Sequence, residues 1–377
     1  MSNLPELSRR QLLGAGLGAA STVLIGSTSL RGESTQLADD LRCGIIGVGG
    51  RGSAVLGAIN QSPRVRVTAI CDIDSSHLNA AAKIVAADKP KLFSDYCALL
   101  DFDELDAVFV ETPPKLHKEM VIAVLKSGRH CYGEKPMALR VSDLNNMAHV
   151  VKSSKGIYQV GTQLRYAAPW KPAIDAVHAG VIGTPIFVRA HRHNSSDYPP
   201  NSLWYFHKDE SGDCICEQAV HEFDIINAVF QGIPERAAGF GGQAIKFEPA
   251  GRDIMDHYSL TFDYGKNKKC AYSHSWIAPP NVPSDGRVEI VYGEKGAIDI
   301  EQGIIYPLKG DPQKVDAEPK GDSTQLAVND FFRCIREGKQ PLCNAEAGRN
   351  AALTALLGRK AIERGRVVTM KELLLWG

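Results

Sequence analysis

The triplet Glu134-Lys135-Pro136 sets a primary amine between a carboxylate and a ring-locked residue. Gly128-Arg129-His130-Cys131-Tyr132 reads as a buried strand ending just before it, and Leu139-Arg140-Val141-Ser142-Asp143-Leu144 as the onset of a helix just after it. The lysine therefore stands at the C-terminal end of a parallel strand, where open α/β sheets bind ligands. An amine there can hold a substrate hydroxyl and stabilise an oxygen that is losing its proton. Glu217 and His221 lie four apart, so on a helix they would share one face. A histidine beside a carboxylate gives and takes a proton near neutral pH. Asp224, three residues on, is placed to orient His221 or its helix. Lys135, His221 and Glu217 form the expected catalytic set.

These side chains need a scaffold, and the chain supplies one upstream. The apolar run from Leu41 leads into Gly47-Val48-Gly49-Gly50-Arg51-Gly52, and a helix-forming stretch from Ser53 follows. Strand, Gly-x-Gly-x-x-Gly and helix together read as a dinucleotide-binding turn. Its glycines allow a tight turn, backbone approach to a pyrophosphate, and close helix packing. Gly47, Gly49, Gly50, Arg51 and Gly52 are the expected cofactor loop. A second strand, Val65–Asp72, ends in an acid at the spacing for ribose hydroxyls. Asp72 favours NAD over NADP, because a 2′-phosphate would meet negative charge there. Arg51 is the one nearby cation that keeps NADP as an alternative. A third strand runs into Thr112-Pro113, expected at the cofactor edge with Glu134 and Lys135. His117 is read either as a cofactor contact or as a cap of the helix that follows.

Strand and helix alternate from 41 to 161, which reads as one doubly wound parallel domain. From 162 to 377 the pattern changes. Period-two runs at 185–192, 237–243, 257–263, 270–276, 287–292 and 296–300 argue for a large, mainly antiparallel open sheet. Helices are expected at 168–180, 219–230 and 348–364. The fold class is therefore α/β: a Rossmann dinucleotide-binding domain followed by an α/β domain with a large, mainly antiparallel open sheet. Arg165, Tyr166, His191, His193 and Trp204 join Glu217 and His221 as expected substrate contacts. Tyr272, His274 and Trp276 are further pocket candidates, since aromatics offer apolar bodies and polar tips to sugars. Alternation puts His191 and His193 on one face.

The order and spacing of the glycine loop, Asp72 and Glu134-Lys135-Pro136 resemble the Gfo/Idh/MocA family of glucose–fructose oxidoreductase, inositol dehydrogenase and rhizopine-catabolism proteins. That resemblance implies hydride transfer between a nicotinamide cofactor and a sugar, cyclitol or related polyol. It also implies a homo-oligomer built through the C-terminal sheet. In the family an Asp-x-x-x-His pair completes the site, and Glu217 stands here where that aspartate is usual. Two alternatives remain: an NAD-dependent glycosidase or lyase working by transient sugar oxidation, and a non-catalytic sugar-binding protein that retains NAD.

Residues 1–40 read as a leader rather than as fold. Ser8-Arg9-Arg10-Gln11-Leu12-Leu13 before a small-residue apolar run resembles a twin-arginine signal, an address read by an export receptor. An exported, periplasmic protein is expected, with an uncleaved membrane tether as the alternative. Lys+Arg and Asp+Glu are equal at 43 each, so no charge bias points to nucleic acid. No apolar run after the leader is long enough to span a bilayer. Nine cysteines are scattered without zinc-site spacing, and no metal is expected, although His191, His193, Glu217 and His221 include metal-ligating types.

Overall fold

In the computed structural model, residues 40–194, 203–279, 281–282, 286–316 and 318–376 are described, and the chain from Asp40 onward is one compact unit. The expected leader, with Arg9 and Arg10, lies outside the described residues up to Asp40. The first half alternates β1 (Leu41–Ile46), α1 (Gly50–Gln61), β2 (Val65–Cys71), α2 (Ser75–Ile84), β3 (Lys91–Phe93), α3 (Tyr96–Leu100), β4 (Ala107–Val110), α4 (Pro114–Lys126), β5 (His130–Gly133), α5 (Val141–Ser153) and β6 (Tyr158–Val160). Its six strands are parallel in the order β3-β2-β1-β4-β5-β6. Every residue of β4 is buried, as the unbroken apolar run Ala107–Val110 requires of a strand covered on both faces. The order reverses between β1 and β4, which makes the switch-point crevice over their C-terminal ends.

The second half runs α6 (Trp170–His178), β7 (Pro185–His193), α7 (Lys208–Ser211), α8 (Asp213–Glu217), α9 (Val220–Phe230), β8 (Arg236–Gly242), β9 (His257–Asp263), β10 (Lys269–Ser275), β11 (Gly286–Gly293), β12 (Gly296–Asp299), β13 (Ile304–Pro307), β14 (Gln313–Lys314), α10 (Ser323–Glu337), α11 (Ala345–Arg364), β15 (Val368–Thr369) and α12 (Met370–Trp376). Nine of its strands form one sheet, ordered β14-β13-β12-β11-β7-β10-β9-β8-β15. β7 and β10 pair parallel, and the other pairs are antiparallel.

Side-chain alternation gives this sheet two different faces. Cys270, Tyr272 and His274 of β10 are buried, and Phe223 of α9 packs edge-on against Tyr272 with ring centres 4.9 Å apart. The helices therefore cover the Tyr272 face. The opposite face carries Phe187 and Tyr292, 36% and 39% exposed, whose rings lie 5.9 Å apart.

α10 crosses back to the first sheet. Phe331 and Phe332 of α10 reach the ring of Phe109 in β4 at 5.4 and 5.7 Å. Its start is fixed by Asp322, whose side chain accepts the Thr324 and Gln325 N–H groups, a cap that contributes about 1 kcal/mol. The sequence reading assigned no helix there and placed residues 162–377 in the second domain.

Candidate active site

The glycine loop is built by close approach. Gly47 has φ +87°, a left-handed value that favours glycine, and a Cβ there would lie 2.8 Å from the Glu111 carbonyl oxygen. A Cβ on Gly52 would come within 2.0 Å of the Gly47 carbonyl oxygen, so α1 reaches the strand only without a side chain. Gly49 is the N-cap of α1 and supplies no side-chain cap, which leaves first-turn N–H groups for an anion. The space beside Gly50 is open for 4 Å.

Asp72 is fixed at the loop. Its carboxylate accepts the Val48 N–H at 2.7 Å and the Asp74 N–H at 2.9 Å. His77, which sequence reasoning passed over, lies beside it with Nδ1 3.5 Å from Asp72 Oδ1. Arg51 is engaged within the loop's own framework. Its Nε donates to Glu134 Oε1 at 2.7 Å and its Nη1 to Thr324 Oγ1 at 2.9 Å, which ties the glycine loop to α10.

Thr112 and Pro113 stand at the C-terminal edge of β4. The His117 ring bridges two loops, with Nδ1 2.8 Å from the Pro136 carbonyl oxygen and Nε2 2.8 Å from that of Thr112. Both nitrogens face backbone oxygens, so His117 forms a strut between the strand ends. Glu134 also braces the loop, accepting the Lys135 N–H at 2.8 Å. Burial opposes its charge, but Arg51 and Lys135 hold its carboxyl below the usual range. Glu111, unnoticed in the sequence, is buried beside this cluster with neither carboxyl oxygen hydrogen-bonded. Burial, and then Glu134, push its pKa well up.

Lys135 projects from the end of β5 to α8. Its Nζ donates to the Glu217 carbonyl oxygen at 2.8 Å and to the Glu217 carboxylate. Glu217 Oε2 accepts from Gln218 Nε2 at 2.6 Å. Glu217 and His221 do not lie on one continuous helix. The Ala219 N–H reaches back five residues to the Cys214 carbonyl at 3.2 Å, and the turn at Gln218-Ala219 separates α8 from α9. Glu217, the last residue of α8, therefore meets Lys135, while His221 lies in the first turn of α9. Asp224 does not orient His221, because Arg165 holds it through Nε at 2.6 Å and Nη2 at 2.7 Å.

His221 is buried, and its Nδ1 has no hydrogen-bond partner among the described residues. Burial, then Lys135, Arg192 and Arg287, lower its pKa well below 6.5. The imidazole is therefore neutral at physiological pH and can accept a proton.

The other substrate candidates divide. Arg165 is committed to Asp224, and Tyr166 Oη accepts the Cys343 N–H at 3.1 Å inside the core. His191 and His193 share a face as expected, with rings stacked at 4.5 Å, but that face lies away from α9. Arg192, between them, takes the inner side and approaches Glu222 of α9 at 3.5 Å. Trp204 packs edge-on to Tyr205, which in turn meets Trp276 at 6.2 Å. His274 and Trp276 are on the inner face. The residues missed are Arg192, Arg287 and Glu222. Strand alternation on β7 offers Arg192 once the inner face is known.

Residues 41–162 match the model of an oxidoreductase family with an NAD-binding Rossmann fold, and residues 170–299 match the GFO/IDH/MocA C-terminal domain. The chain belongs to the Gfo/Idh/MocA oxidoreductase family. Among its relatives is a myo-inositol 2-dehydrogenase of Thermotoga maritima, 24% identical over 343 residues, with 89% of this chain and 100% of that protein covered. A levoglucosan dehydrogenase in complex with NADH and levoglucosan shares the fold at TM-score 0.75 and 18% identity, with 88% of this chain and 99% of that one covered. An Agrobacterium radiobacter oxidoreductase in complex with NAD+, L-tartaric acid and magnesium shares it at TM-score 0.77 and 16% identity, over 88% and 99%.

The matched Rossmann domain is NAD-binding, and this site fits that cofactor. The uncapped α1 N-terminus and the open side of Gly50 suit a pyrophosphate, and Asp72 suits ribose hydroxyls.

Proposed function

We propose that this family member is a dehydrogenase of a sugar, cyclitol or related polyol. The Lys135–Glu217 pair at the end of β5, with His221 within the electrostatic reach of Lys135, carries this reading. Gly47, Gly49, Gly50, Gly52 and Asp72 would hold NAD, which when bound accepts a hydride from the carbinol carbon. Lys135 would hold the reacting hydroxyl and stabilise the oxygen as its proton leaves. Glu217 keeps the ammonium aimed, and Gln218 steadies Glu217. The neutral His221 imidazole takes the proton. Its cationic neighbours then favour release of that proton once the product forms.

A panel of sugars, cyclitols and alditols, followed by nicotinamide reduction, tests the reading. Net NADH formation supports it. Glycoside cleavage without net NADH would instead favour transient oxidation on the same residues.

Two further parts of the proposal concern the protein's setting. Arg9-Arg10 supports export by a twin-arginine route to the periplasm, and changing both to lysine should retain the protein inside the cell. The partly exposed Phe187 and Tyr292 on the uncovered sheet face support a homo-oligomer through that sheet. Sedimentation of the Phe187→Asp/Tyr292→Asp variant should then shift to a smaller species.

A further inference from the structure

Lys135 and Glu217 meet from two segments that share no regular element. Lys135 lies in the connection between β5 and α5, and Glu217 ends the five-residue α8. So short a helix is not stable by itself and takes its position from what it packs against. The Lys135 ammonium donates to the main-chain carbonyl of Glu217 as well as to its carboxylate, so its aim follows the α8 backbone directly.

The start of α8 is held in an unfavourable shape. Gly212 has φ +81°, and Asp213, which follows it, has φ +72°. A left-handed value suits glycine, but in an aspartate it persists only where the surroundings fix it. Two contacts do so. The Asp213 carboxylate accepts the Cys214 N–H at 2.7 Å and the Met255 N–H at 3.1 Å. The Gly212 carbonyl oxygen accepts from Arg359 Nη1 at 3.0 Å.

Arg359 also reaches the segment that carries Lys135. Its Nη2 lies 3.5 Å from the carbonyl oxygen of Leu139, four residues beyond the lysine. Leu139 and Gly212 close on each other at the same place, since a Cβ on Gly212 would lie 2.5 Å from Leu139 Cδ2. One guanidinium thus touches the main chain on both sides of the catalytic pair. Its rigid fork suits two separate acceptors, which a single ammonium serves less well.

The helix that carries Arg359 is a firm anchor. Ala355, Leu356, Leu357 and Gly358 of α11 are buried. Gly358 lets the helix close on α8, because a Cβ there would lie 3.1 Å from Ile215 Cδ1. α11 also packs against α5, the helix that follows Leu139. The Arg359 side chain is 19% exposed, and its Nε has a longer contact with Glu363 of the same helix at 3.6 Å.

We propose that Arg359 is a positioning residue for the reaction: by holding Gly212 and Leu139 together from α11, it sets the approach of Lys135 to Glu217. Its effect on turnover rests on the dehydrogenase reading. Its effect on the pair does not.

Two measurements on the full chain test this. The first is turnover with NAD+ and substrate saturating. Arg359→Met keeps the aliphatic stem and removes the donors, and a displacement of about 1 Å at reacting groups costs about 10²-fold. Turnover should therefore fall by about 10–10²-fold, with NADH affinity unchanged. Added to Lys135→Met, the same change should cost no more than about twofold, because effects that run through one residue are not additive. Arg359→Lys should recover part of the loss. Near-normal turnover in Arg359→Met overturns the proposal, as does an equal fractional loss with and without Lys135. A parallel fall in NADH affinity also overturns it, since it would mark a general loosening of the fold.

The second measurement needs no substrate. The melting-temperature losses of Lys135→Met and Glu217→Gln should be non-additive in the parent and become additive once Arg359→Met is present. Undiminished coupling overturns the proposal. If no member of the sugar panel reduces the nicotinamide, the dehydrogenase reading falls, and the melting series alone decides the role of Arg359. Arg359→Lys gives the same series at smaller amplitude and decides the question if Arg359→Met does not fold.

Discussion

Lys135 donates from Nζ to both the carbonyl oxygen and the carboxylate of Glu217, a residue 82 positions further along the chain. The contact joins the end of the parallel sheet to α8 of the second half. Neither side chain is more than 12% exposed. Removing one partner of such a pair strands the other, whereas removing both does not. Lys135→Met should therefore lower the melting temperature more than Lys135→Met combined with Glu217→Gln does. Scanning calorimetry of the single and double variants measures this. Equal losses would show that the two side chains are not coupled.

His221 sets a pH signature. Its pKa in the fold lies well below 6.5, so the imidazole remains neutral as the medium is acidified to that point. The acid limb of kcat/KM should fall below pH 6.5 rather than at it. The same shift acts on stability. Below 6.5 the unfolded chain takes the proton first, so the contribution of His221 is complete above 6.5 and is lost as pH falls. His221→Asn should abolish the limb and cut turnover by roughly 10²–10⁴.

The cofactor loop gives a steric prediction and an electrostatic one. Gly52→Ala sets a methyl group 2.0 Å from the Gly47 carbonyl oxygen, so the loop must open and NAD binding should be lost. Asp72→Ala keeps the loop glycines and removes the carboxylate expected to meet the ribose. NAD(H) affinity should fall about 10–100-fold, the cost of a hydrogen bond to a charged group. Fluorescence titration with NADH checks both variants. Unchanged affinity in Asp72→Ala would remove the ribose assignment.

Glu289 is a buried acid with no hydrogen-bond partner among the described residues at either carboxyl oxygen, and burial raises its pKa well above 4.5. The folded chain keeps a proton that the unfolded chain releases above 4.5. Stability from this group therefore declines as pH rises from 4.5 towards the folded value. Glu289→Gln removes the titration. The variant should gain melting temperature relative to the parent between pH 5 and pH 8. Parallel melting curves across that range would contradict the assignment.

Much of the scaffold is legible locally. The run from Leu41 into Gly47, Gly49 and Gly52 announces strand, turn and helix, because each glycine answers a backbone need. Period-two alternation announces the second sheet. Which face turns inward is a tertiary fact, and this is why His191 and His193 read as pocket residues while Arg192 carried no signal. The i, i+4 spacing of Glu217 and His221 held only if the helix ran on, and one extra residue at Gln218-Ala219 breaks it. Arg51 and Asp224 look free in the sequence because their partners, Glu134 and Arg165, are 83 and 59 residues away. α10 had local signals in Asp322 and Gly338, but nothing local says that it returns to the first sheet.

The most direct test of the account is nicotinamide reduction by wild type and Lys135→Met, each saturated with NAD+ and with the best substrate of the sugar and cyclitol panel. The account predicts steady NADH formation by wild type and turnover lower by about 10²–10³ in the variant, with NAD affinity unchanged. Turnover in the variant close to that of wild type, or no reduction by wild type with any member of the panel, would contradict it.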